Sequence, residues 1–172
     1  MATPRPCRWT TVILAVAALV LSTGAAATAA PAGSGATVQR QVDVYLAAHP
    51  GGVQINSTEI SYAGGAFVVT VVRPAGTFAS PDCPAGWFCF YDRTNFNYPR
   101  GKLRDCGWQD LGWWGWRDRT ESVHYNLSLG SVVFINETGA TDTAIFTVST
   151  TKRTIADVYP NRNRADYVFR YC

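Results

Sequence analysis

His49 and His124 are the two imidazole side chains that could act as a general base in this sequence. His49 lies in a Pro-Gly turn, and His124 lies on a predicted strand. The sequence contains no H-E-x-x-H, no G-x-S-x-G and no phosphate-binding glycine loop, so neither histidine has the partners of a metal site or a catalytic triad. Pairs such as Asp118 and Glu121 could hydrolyse glycosides, but any chain with 12 acidic residues contains such pairs. We therefore expect a non-enzymatic protein without a metal ion or cofactor.

Four cysteines have a clearer use, because an even set in a secreted chain points to disulfide bonds. They are Cys83, Cys89, Cys106 and Cys172, and the fifth, Cys7, lies in a predicted signal peptide. Four cysteines can pair in three ways. We favour Cys83 with Cys89, whose short loop holds a proline and a glycine that suit a tight turn, and Cys106 with Cys172. The spacing lacks a C-x-x-C pair, which argues against zinc.

The first 29 residues have the pattern of a secretory signal peptide. Arg5 and Arg8 precede an apolar run over residues 11–21, and residues 27–29 offer an A-x-A cleavage site. The run is too short to span a bilayer comfortably, so we expect no membrane association after cleavage near Ala30. The sequence predicts a secreted, extracellular protein.

The charge of the mature chain argues against nucleic-acid binding. Without Arg5 and Arg8 the chain keeps 13 basic and 12 acidic residues, which gives a formal charge of +1. One mildly basic stretch holds Arg93, Arg100, Lys102 and Arg104. We interpret this stretch as the solvated rim of a hairpin.

The beginning of the mature chain predicts a linker, one helix and one hairpin. Residues 30–36 are rich in Pro, Ala, Gly and Ser, which is typical of a flexible linker. The apolar residues with the spacing of one helical face are Val38, Val42, Tyr45 and Leu46. Residues 49–52 end this helix, and β-rich runs flank a turn at residues 63–65. We assign residues 37–73 to a helix and β-hairpin appendage that packs on the rest, and residues 74–82 to a connector.

From Cys83 onward the composition is typical of an all-β protein and contains an internal repeat. Segments 88–92 and 133–137 share one pattern, and segments 118–123 and 163–168 share another, both at an offset of 45 residues. A common offset implies two copies of a unit of about four short strands. Two such units packed face to face would bury their alternating apolar residues.

Two segments of this region carry a family resemblance. They are residues 83–91, Cys-Pro-Ala-Gly-Trp-Phe-Cys-Phe-Tyr, followed by Asn95-Phe96, and residues 116–123, Trp-Arg-Asp-Arg-Thr-Glu-Ser-Val. They resemble the βγ-crystallin-like fold, and specifically the secreted actinobacterial metalloprotease-inhibitor family with that fold. The resemblance covers residues 83–172, about half of the chain. It implies a mainly β, βγ-crystallin-like double Greek-key sandwich, and it implies inhibition of extracellular zinc proteases of the thermolysin type.

The resemblance also bears on calcium. In calcium-binding βγ-crystallins, one turn of each copy supplies Asn/Asp and Ser/Thr oxygens to the ion. Here the corresponding turns carry Arg117 with Glu121 in the first copy and Arg162 with Asp166 in the second. A guanidinium repels a cation at close range. We therefore expect no calcium site, and we expect an Arg–carboxylate pair within each turn in place of the ion.

Three tryptophans are candidate contact residues for a partner. Trp87 lies in the predicted loop from Cys83 to Cys89 and could offer an apolar side chain to a protease pocket. Trp113 and Trp114 are adjacent, so on a strand they would point to opposite faces, and one would be exposed or covered by the N-terminal appendage. The leading hypothesis is a monomeric inhibitor of an extracellular protease. The alternatives are a module that binds cell wall or glycan through its tryptophans, and a small secreted antimicrobial toxin of the same superfamily.

Overall fold

The computed structural model describes residues 33–75 and 80–172, so the predicted signal peptide lies outside the described residues. The helix and strands of the described part are α1 (Gly33–Ala48), β1 (Val53–Gln54), β2 (Glu59–Tyr62), β3 (Phe67–Thr70), β4 (Trp87–Arg93), β5 (Asn97–Leu103), β6 (Gly107–Asp110), β7 (Ser122–Asn126), β8 (Ser131–Glu137), β9 (Asp142–Ser149), β10 (Thr154–Ile155) and β11 (Tyr167–Tyr171). Short 3₁₀ turns span Ala63–Gly65 and Leu111–Trp114. Among these residues, no helix has both the length and the apolar composition needed to cross a bilayer.

The strands form two antiparallel sheets, which confirms a mainly β protein. Sheet A has seven strands in the order β1-β2-β3-β5-β4-β7-β10, and sheet B has four in the order β6-β11-β8-β9. Along β8, Val132 and Phe134 are buried whereas Val133 between them is only partly covered. This alternation follows from the two-residue period of a strand, which directs one face of the sheet into the core.

The two repeats exchange their third strands. The first repeat comprises β4 to β7, and the second comprises β8 to β11. Strand β6 of the first repeat pairs with β11 of the second, and β10 of the second pairs with β7 of the first. From Trp87 onward, each sheet therefore combines three strands of one repeat with one strand of the other.

The turns of the two repeats are related by the predicted offset of 45 residues. The backbone N–H of Asp118 donates to the carbonyl of Ala165 over 3.0 Å, and the N–H of Asn163 donates to the carbonyl of Thr120 over 3.1 Å. Asp118 and Asn163 are equivalent positions of the two repeats, and so are Thr120 and Ala165. Each repeat therefore makes the same hydrogen bond to the other. Asp118 and Asn163 also share a left-handed backbone, with φ of 55° and 53°, which Asp and Asn adopt more readily than most residues.

Between the first strands of the two repeats, β4 and β8, the offset is 44 residues, so the predicted value of 45 is wrong there, whereas between β7 and β11 it is 45. Phe90 pairs with Val123 in sheet A, and Phe134 pairs with Val168 in sheet B. The rings of Phe90 and Phe134 are both buried and meet edge to face at 6.2 Å. The predicted offset would match Phe90 with Ile135 and so exchange the core and outer faces of the strand. An irregularity in the register of β8 and β9 lies at this point, between Phe134 and Ile135.

Aromatic rings fill much of the core that the two sheets share. Trp116 is fully buried and meets the ring of Phe90 at 5.3 Å and the ring of Phe67 at 5.9 Å, in both cases edge to face. The ring of Phe67 also stacks on Trp114 at 4.8 Å. Because burying a large apolar side chain contributes about 1.5–3 kcal/mol, this cluster is a main source of stability.

Helix α1 buries one face in the same core, as the spacing of its apolar residues predicts. Val42 and Tyr45 are buried, and Leu46 packs at the edge of the cluster. The helix begins at Gly33, so residues 33–36, which the sequence assigned to a flexible linker, form its first turn. Glycine and serine are weak helix formers, so packing of the buried face rather than local propensity stabilises this helix.

The predicted hairpin is present as β2 and β3, and it continues sheet A. Strand β3 pairs with β2 on one side and with β5 on the other. Gly101 of β5 lies at this junction, where an added Cβ would approach the ring of Phe90 to 2.5 Å and the ring of Phe67 to 2.9 Å. The missing side chain therefore lets both rings pack directly over β5. The N-terminal segment and the later strands consequently share one sheet.

Candidate functional site

Both favoured disulfides are present. Cys83 and Cys89 are six residues apart in sequence with a Cα–Cα distance of 5.5 Å, and Cys106 and Cys172 are 66 residues apart with a distance of 5.9 Å. Both distances lie in the usual range. The first bond closes a short loop, residues 83–89, which we call the disulfide loop. The second bond joins the start of β6 to the end of β11.

The disulfide loop is also fastened to strand β7 by hydrogen bonds. The N–H of Cys83 donates to Nδ1 of His124 over 3.1 Å. Asn126 holds the loop at two points, because its Nδ2 donates to the carbonyl of Cys83 over 2.8 Å and its carbonyl accepts from the N–H of Gly86 over 2.8 Å. Together with the disulfide, these bonds fix the loop backbone on the outer face of sheet A.

The tip of the disulfide loop faces solvent. Pro84, Ala85 and Gly86 are exposed, whereas Phe88 is buried in the core. The N–H of Trp87 donates to the carbonyl of Pro84 over 3.3 Å and closes a turn. Gly86 has φ of 83°, a conformation that glycine adopts without strain. The loop thus presents a short, closed turn with small side chains at its tip.

Trp87 does not project from the loop, contrary to the prediction that it is the exposed contact residue. Its side chain is partly buried against the disulfide and the tyrosines behind it. Nζ of Lys102 lies 5.3 Å from the ring centroid, and the Arg104 guanidinium lies 4.9 Å from it. Such cation–π contacts hold the indole in place. Trp87 therefore packs between the loop and sheet A and stabilises the loop.

Asp82 links the start of the disulfide loop to the outer face of sheet A. Its carboxylate accepts hydrogen bonds from the hydroxyls of Tyr91, over 2.8 Å, and Tyr98. Arg100 donates from Nη1 to the carbonyl of Asp82 over 2.9 Å, and Arg73 lies 3.8 Å from the carboxylate. Burial opposes ionisation of Asp82, but the tyrosine hydroxyls and the Arg100 charge outweigh it and lower its pKa. The carboxylate is therefore an ionised anchor.

A second carboxylate, Glu59, completes a charged network beside Asp82. Nζ of Lys102 lies 2.8 Å from the Glu59 carboxylate, and the Arg100 guanidinium lies 3.6 Å from it. Thr70 joins the two sides, since its hydroxyl donates to Glu59 over 3.1 Å and accepts from Arg100 over 2.9 Å. Burial again works against ionisation of Glu59, but the hydrogen bonds from Lys102 and Asn56 lower its pKa.

The interpretation of the basic stretch as a solvated rim is wrong for two of its four residues. Arg100 is 5% exposed and Lys102 is 9% exposed, whereas Arg93 and Arg104 are exposed. The buried pair alternates along β5 on the face turned away from the core. Their carboxylate partners come from distant parts of the chain, so local charge density could not reveal this network.

Acidification is expected to destabilise the folded protein through its two histidines, His124 and His49. Burial lowers the pKa of both below the usual value. The Arg119 charge lowers the pKa of His49 further, whereas at His124 the Asp82 carboxylate opposes the lowering without outweighing it. As the pH falls through about 6.5, the unfolded chain binds these protons before the folded one does. The stability that the neutral histidines contribute is therefore present above pH 6.5 and is lost below it.

Urea denaturation at pH 7.5 and at pH 5.5 measures this effect. We expect His124→Gln and His49→Gln each to reduce the difference between the two free energies of unfolding, and the double variant to reduce it most. Stability of the unaltered protein that does not fall between these pH values would contradict the assignment.

Trp113 and Trp114 lie in a 3₁₀ turn rather than on the predicted strand. Asp110 caps this turn, because its Oδ1 accepts from the N–H of Gly112 over 2.7 Å. Trp113 is 69% exposed, whereas Trp114 is 6% exposed and stacks on Phe67. Trp114 is therefore a core residue and not a contact residue, and Trp113 remains the exposed member of the pair.

Four aromatic side chains lie on the outer face of sheet B, and the three of them on β11 were not expected from the sequence. They are Trp108 on β6 and Tyr167, Phe169 and Tyr171 on β11, and we call them the aromatic row. Val168 is buried, so the period of the strand turns the three β11 rings outward. Trp108 and Tyr171 are 45% and 56% exposed. The alternation of aromatics at positions 167, 169 and 171 was the available signal.

Polar groups flank one end of the aromatic row. Arg117 binds the Asp110 carboxylate with two parallel hydrogen bonds of 2.9 and 2.8 Å, and it reaches Glu137 over 2.7 Å. Its guanidinium lies 4.6 Å from the ring centroid of Tyr167, whose hydroxyl donates to Glu137 over 2.8 Å. The ring of Trp108 meets Tyr167 at 4.9 Å. Rings and hydrogen-bonding groups therefore adjoin on one surface.

The predicted Arg–carboxylate pairs within each turn are not formed. Arg117 pairs with Asp110 and Glu137, and Arg162 pairs with Asp157. The turn carboxylates bind other donors instead. Glu121 accepts from the N–H of Thr94 and from Asn163, and Asp166 accepts from the N–H of Glu137. Each arginine thus pairs with a carboxylate other than the predicted one, and the turn carboxylates accept hydrogen bonds from other donors.

Calcium is expected to leave the thermal stability unchanged, because the turn carboxylates already accept hydrogen bonds and an arginine adjoins each turn. A calcium ion that binds the folded protein, at a concentration 100 times its dissociation constant, would add about 2.7 kcal/mol to the free energy of unfolding. This would raise the melting temperature by several degrees. We expect a shift below about 1 °C between 5 mM calcium and 5 mM EDTA in differential scanning fluorimetry, on the order of the method's error. A rise of several degrees that EDTA reverses would contradict this prediction.

Both histidines make contacts with neighbouring parts of the fold. His124 serves the disulfide loop, and the ring of His49 packs on Tyr45 at 4.5 Å. Within residues 33–75 and 80–172, no three His, Cys, Asp or Glu side chains cluster closely enough to hold a metal ion. Comparison of the chain with protein-family models, with curated proteins and with solved structures gave no significant match.

Proposed function

We propose that this protein is a secreted, non-enzymatic inhibitor of an extracellular protease of the thermolysin type, and that the disulfide loop is its contact with the enzyme. The observation that carries the proposal is that a disulfide bond and hydrogen bonds hold this loop in one conformation. The loop is closed by Cys83–Cys89, bound to Asn126 at two points, and exposed only at its tip.

A fastened loop suits inhibition because binding then orders few groups. A loop already held in its bound shape avoids the entropy cost that a flexible peptide would incur. Behind the tip, Trp87 is braced by Lys102 and Arg104, and Asp82 is anchored by Tyr91. These contacts restrict movement of the loop when the enzyme binds.

The tip itself is compatible with a protease cleft. Pro84 and Ala85 are exposed and small, so they can enter a narrow groove in which a larger side chain would clash. These two residues, rather than Trp87, therefore contact the protease directly. In this proposal Trp87 positions the loop and Ala85 makes the contact.

The proposed fold is the crystallin-like double Greek key. The exchange of third strands between the repeats supports it, since each sheet then combines strands of both units. The left-handed residues Asp118 and Asn163 at equivalent turns support it as well. The resemblance of residues 83–172 to the secreted inhibitor family rests on this region.

Titration of purified residues 30–172 against thermolysin, with a chromogenic peptide substrate, tests the proposal. We expect inhibition of the unaltered protein, and we expect Ala85→Asp to weaken it at least tenfold because a buried carboxylate is costly in the complex. Ala140→Asp is the matched control, since Ala140 is exposed on the β8–β9 turn and should leave inhibition unchanged. No inhibition by the unaltered protein across a panel of secreted proteases would overturn the proposal.

The aromatic row favours a second candidate function, binding of a cell-wall glycan. Exposed aromatic faces with polar groups beside them suit sugar rings, which have apolar faces and hydroxyl edges. Cosedimentation with insoluble peptidoglycan tests this candidate. We expect Trp108→Ala to abolish cosedimentation and Trp113→Ala, a matched change at an exposed tryptophan outside the row, to preserve it. Equal loss in both variants, or none in either, would exclude the row as the binding surface.

A further inference from the structure

A groove lies between helix α1 and the β4–β5 hairpin, away from the aromatic row. It has a volume of about 840 Å³ and is open to solvent. Arginines from three separate elements line it: Arg40 on α1, Arg73 after β3, and Arg93 at the end of β4. We call it the arginine groove. The residues that line it include no aspartate and no glutamate.

Two of the three arginines have a charge that no carboxylate balances. In the described part of the chain, neither Arg40 nor Arg93 lies within ion-pair distance of an acidic side chain. Both side chains are exposed. A guanidinium stays protonated at any physiological pH, so these positive charges are permanent.

Arg73 gives the groove a fixed wall. Its Nη2 donates to the carbonyl of Phe96 over 2.5 Å, its Nη1 lies 3.8 Å from Asp82, and its guanidinium lies 4.7 Å from the ring centroid of Tyr98. This arginine is therefore held in one orientation by the surrounding residues. Arg40 and Arg93, which are exposed, line the same groove.

Apolar side chains line the groove as well, together with the polar side chains of Gln41 and Asn97. Val44 of α1 is 64% exposed, and Val72 and Pro99 line the groove beside it. Arg40 and Val44 are four residues apart on the helix, so they lie on the same face. The groove thus offers cationic and apolar contacts side by side.

We propose that the arginine groove binds an extended acidic segment of a partner protein. Carboxylates of the segment pair with Arg40 and Arg93, and apolar side chains between those carboxylates pack on Val44 and Val72. Charge complementarity selects the anion, since guanidinium groups bind carboxylates through paired hydrogen bonds. This inference is independent of the disulfide loop and of its proposed inhibitory role.

The shape of the groove and its number of charges favour a peptide over other polyanions. A bilayer surface cannot enter a concave groove between a helix and a hairpin. A nucleic acid needs many phosphate contacts for useful affinity, and three arginines supply few. An extended peptide directs every second side chain to the same side, so a segment with carboxylates and apolar residues two positions apart directs both to one surface.

Fluorescence anisotropy in low salt with the labelled hexapeptide Asp-Ser-Val-Ser-Asp-Ser, whose aspartates and valine share one side of the extended chain, tests the proposal. We expect saturable binding that Arg40→Gln with Arg93→Gln weakens about tenfold, since each exposed ion pair contributes up to about a fivefold change in affinity. Arg164→Gln removes the same charge from an exposed site outside the groove and should change binding less than about twofold. Both altered side chains are exposed, so folding should be preserved, and the melting temperature checks this.

Three further outcomes decide between ligands. A peptide with asparagine in place of aspartate should bind at least about tenfold more weakly, and equal binding would overturn the proposal. Displacement of the acidic peptide by millimolar inorganic phosphate at constant ionic strength would show a small-anion site and would also overturn it. Sedimentation with phosphatidylglycerol vesicles that depends on Arg40 and Arg93, without peptide binding, would do the same.

Discussion

Replacing Arg100 by methionine is expected to lower the free energy of unfolding by about 3 kcal/mol, because it removes one partner from a buried ionic network. Arg100 bonds to the carbonyl of Asp82 and to Thr70, and it lies close to the carboxylates of Asp82 and Glu59. Without the guanidinium, Lys102 alone would balance Glu59. Methionine preserves much of the side-chain volume, so the loss reports the charge rather than a cavity.

Urea denaturation measures this loss, with Arg164→Met as the matched control at an exposed site. We expect the control to change stability by less than about 0.5 kcal/mol. Because Asp82 directly precedes the disulfide loop, Arg100→Met should also raise the proteolytic sensitivity of that loop. A loss below about 1 kcal/mol would show that the network contributes little to stability.

Removing the disulfide between Cys106 and Cys172 should cost about 4 kcal/mol, a larger loss than removing the one between Cys83 and Cys89. A cross-link lowers the conformational entropy of the unfolded chain, and this loss increases with the logarithm of the number of residues in the loop that it closes. The two loops span 66 and 6 residues, for which this relation gives about 4 and about 2 kcal/mol.

Urea denaturation of the two double-serine variants, Cys106→Ser with Cys172→Ser and Cys83→Ser with Cys89→Ser, makes the comparison. The two variants are each other's control, since each loses one disulfide and gains two hydroxyls. The short-loop variant should lose the proposed inhibition while keeping more of its stability. The reverse order of stability would show that strain or residual structure, rather than chain restriction, governs these bonds.

Three of the parts of the fold that the sequence predicted have local causes. The helix around Val42 and Tyr45 follows from a spacing within two turns, and the β2–β3 hairpin follows from the turn at residues 63–65. The Cys83–Cys89 pair follows from a spacing that suits one turn of chain. In each case the residues that decide the structure lie within a few positions of one another.

The parts that the sequence did not predict depend on partners distant in the chain. Arg100 and Lys102 are buried because Glu59 and Asp82 come to them from other segments. Trp114 enters the core because Phe67, 47 positions earlier, offers a face for stacking. The local sequence pattern predicts neither contact.

The functional surfaces divide in the same way. The disulfide loop was found from its cysteines, but the positions of Trp87 and Ala85 within it depended on Lys102, Arg104 and the register of β4. The arginine groove unites residues 40, 73 and 93, and no spacing in the sequence predicts that they meet.

The exchange of third strands has a consequence for how this chain folds. Sheet A lacks an edge strand until β10 is in place, and sheet B lacks one until β6 has crossed over. Neither half can complete its hydrogen bonding alone, so separate fragments should remain unfolded. Closing such long chain segments before their contacts form gives a high contact order and slow folding. For a chain predicted to be exported, slow folding extends the time in which a translocation-competent state persists.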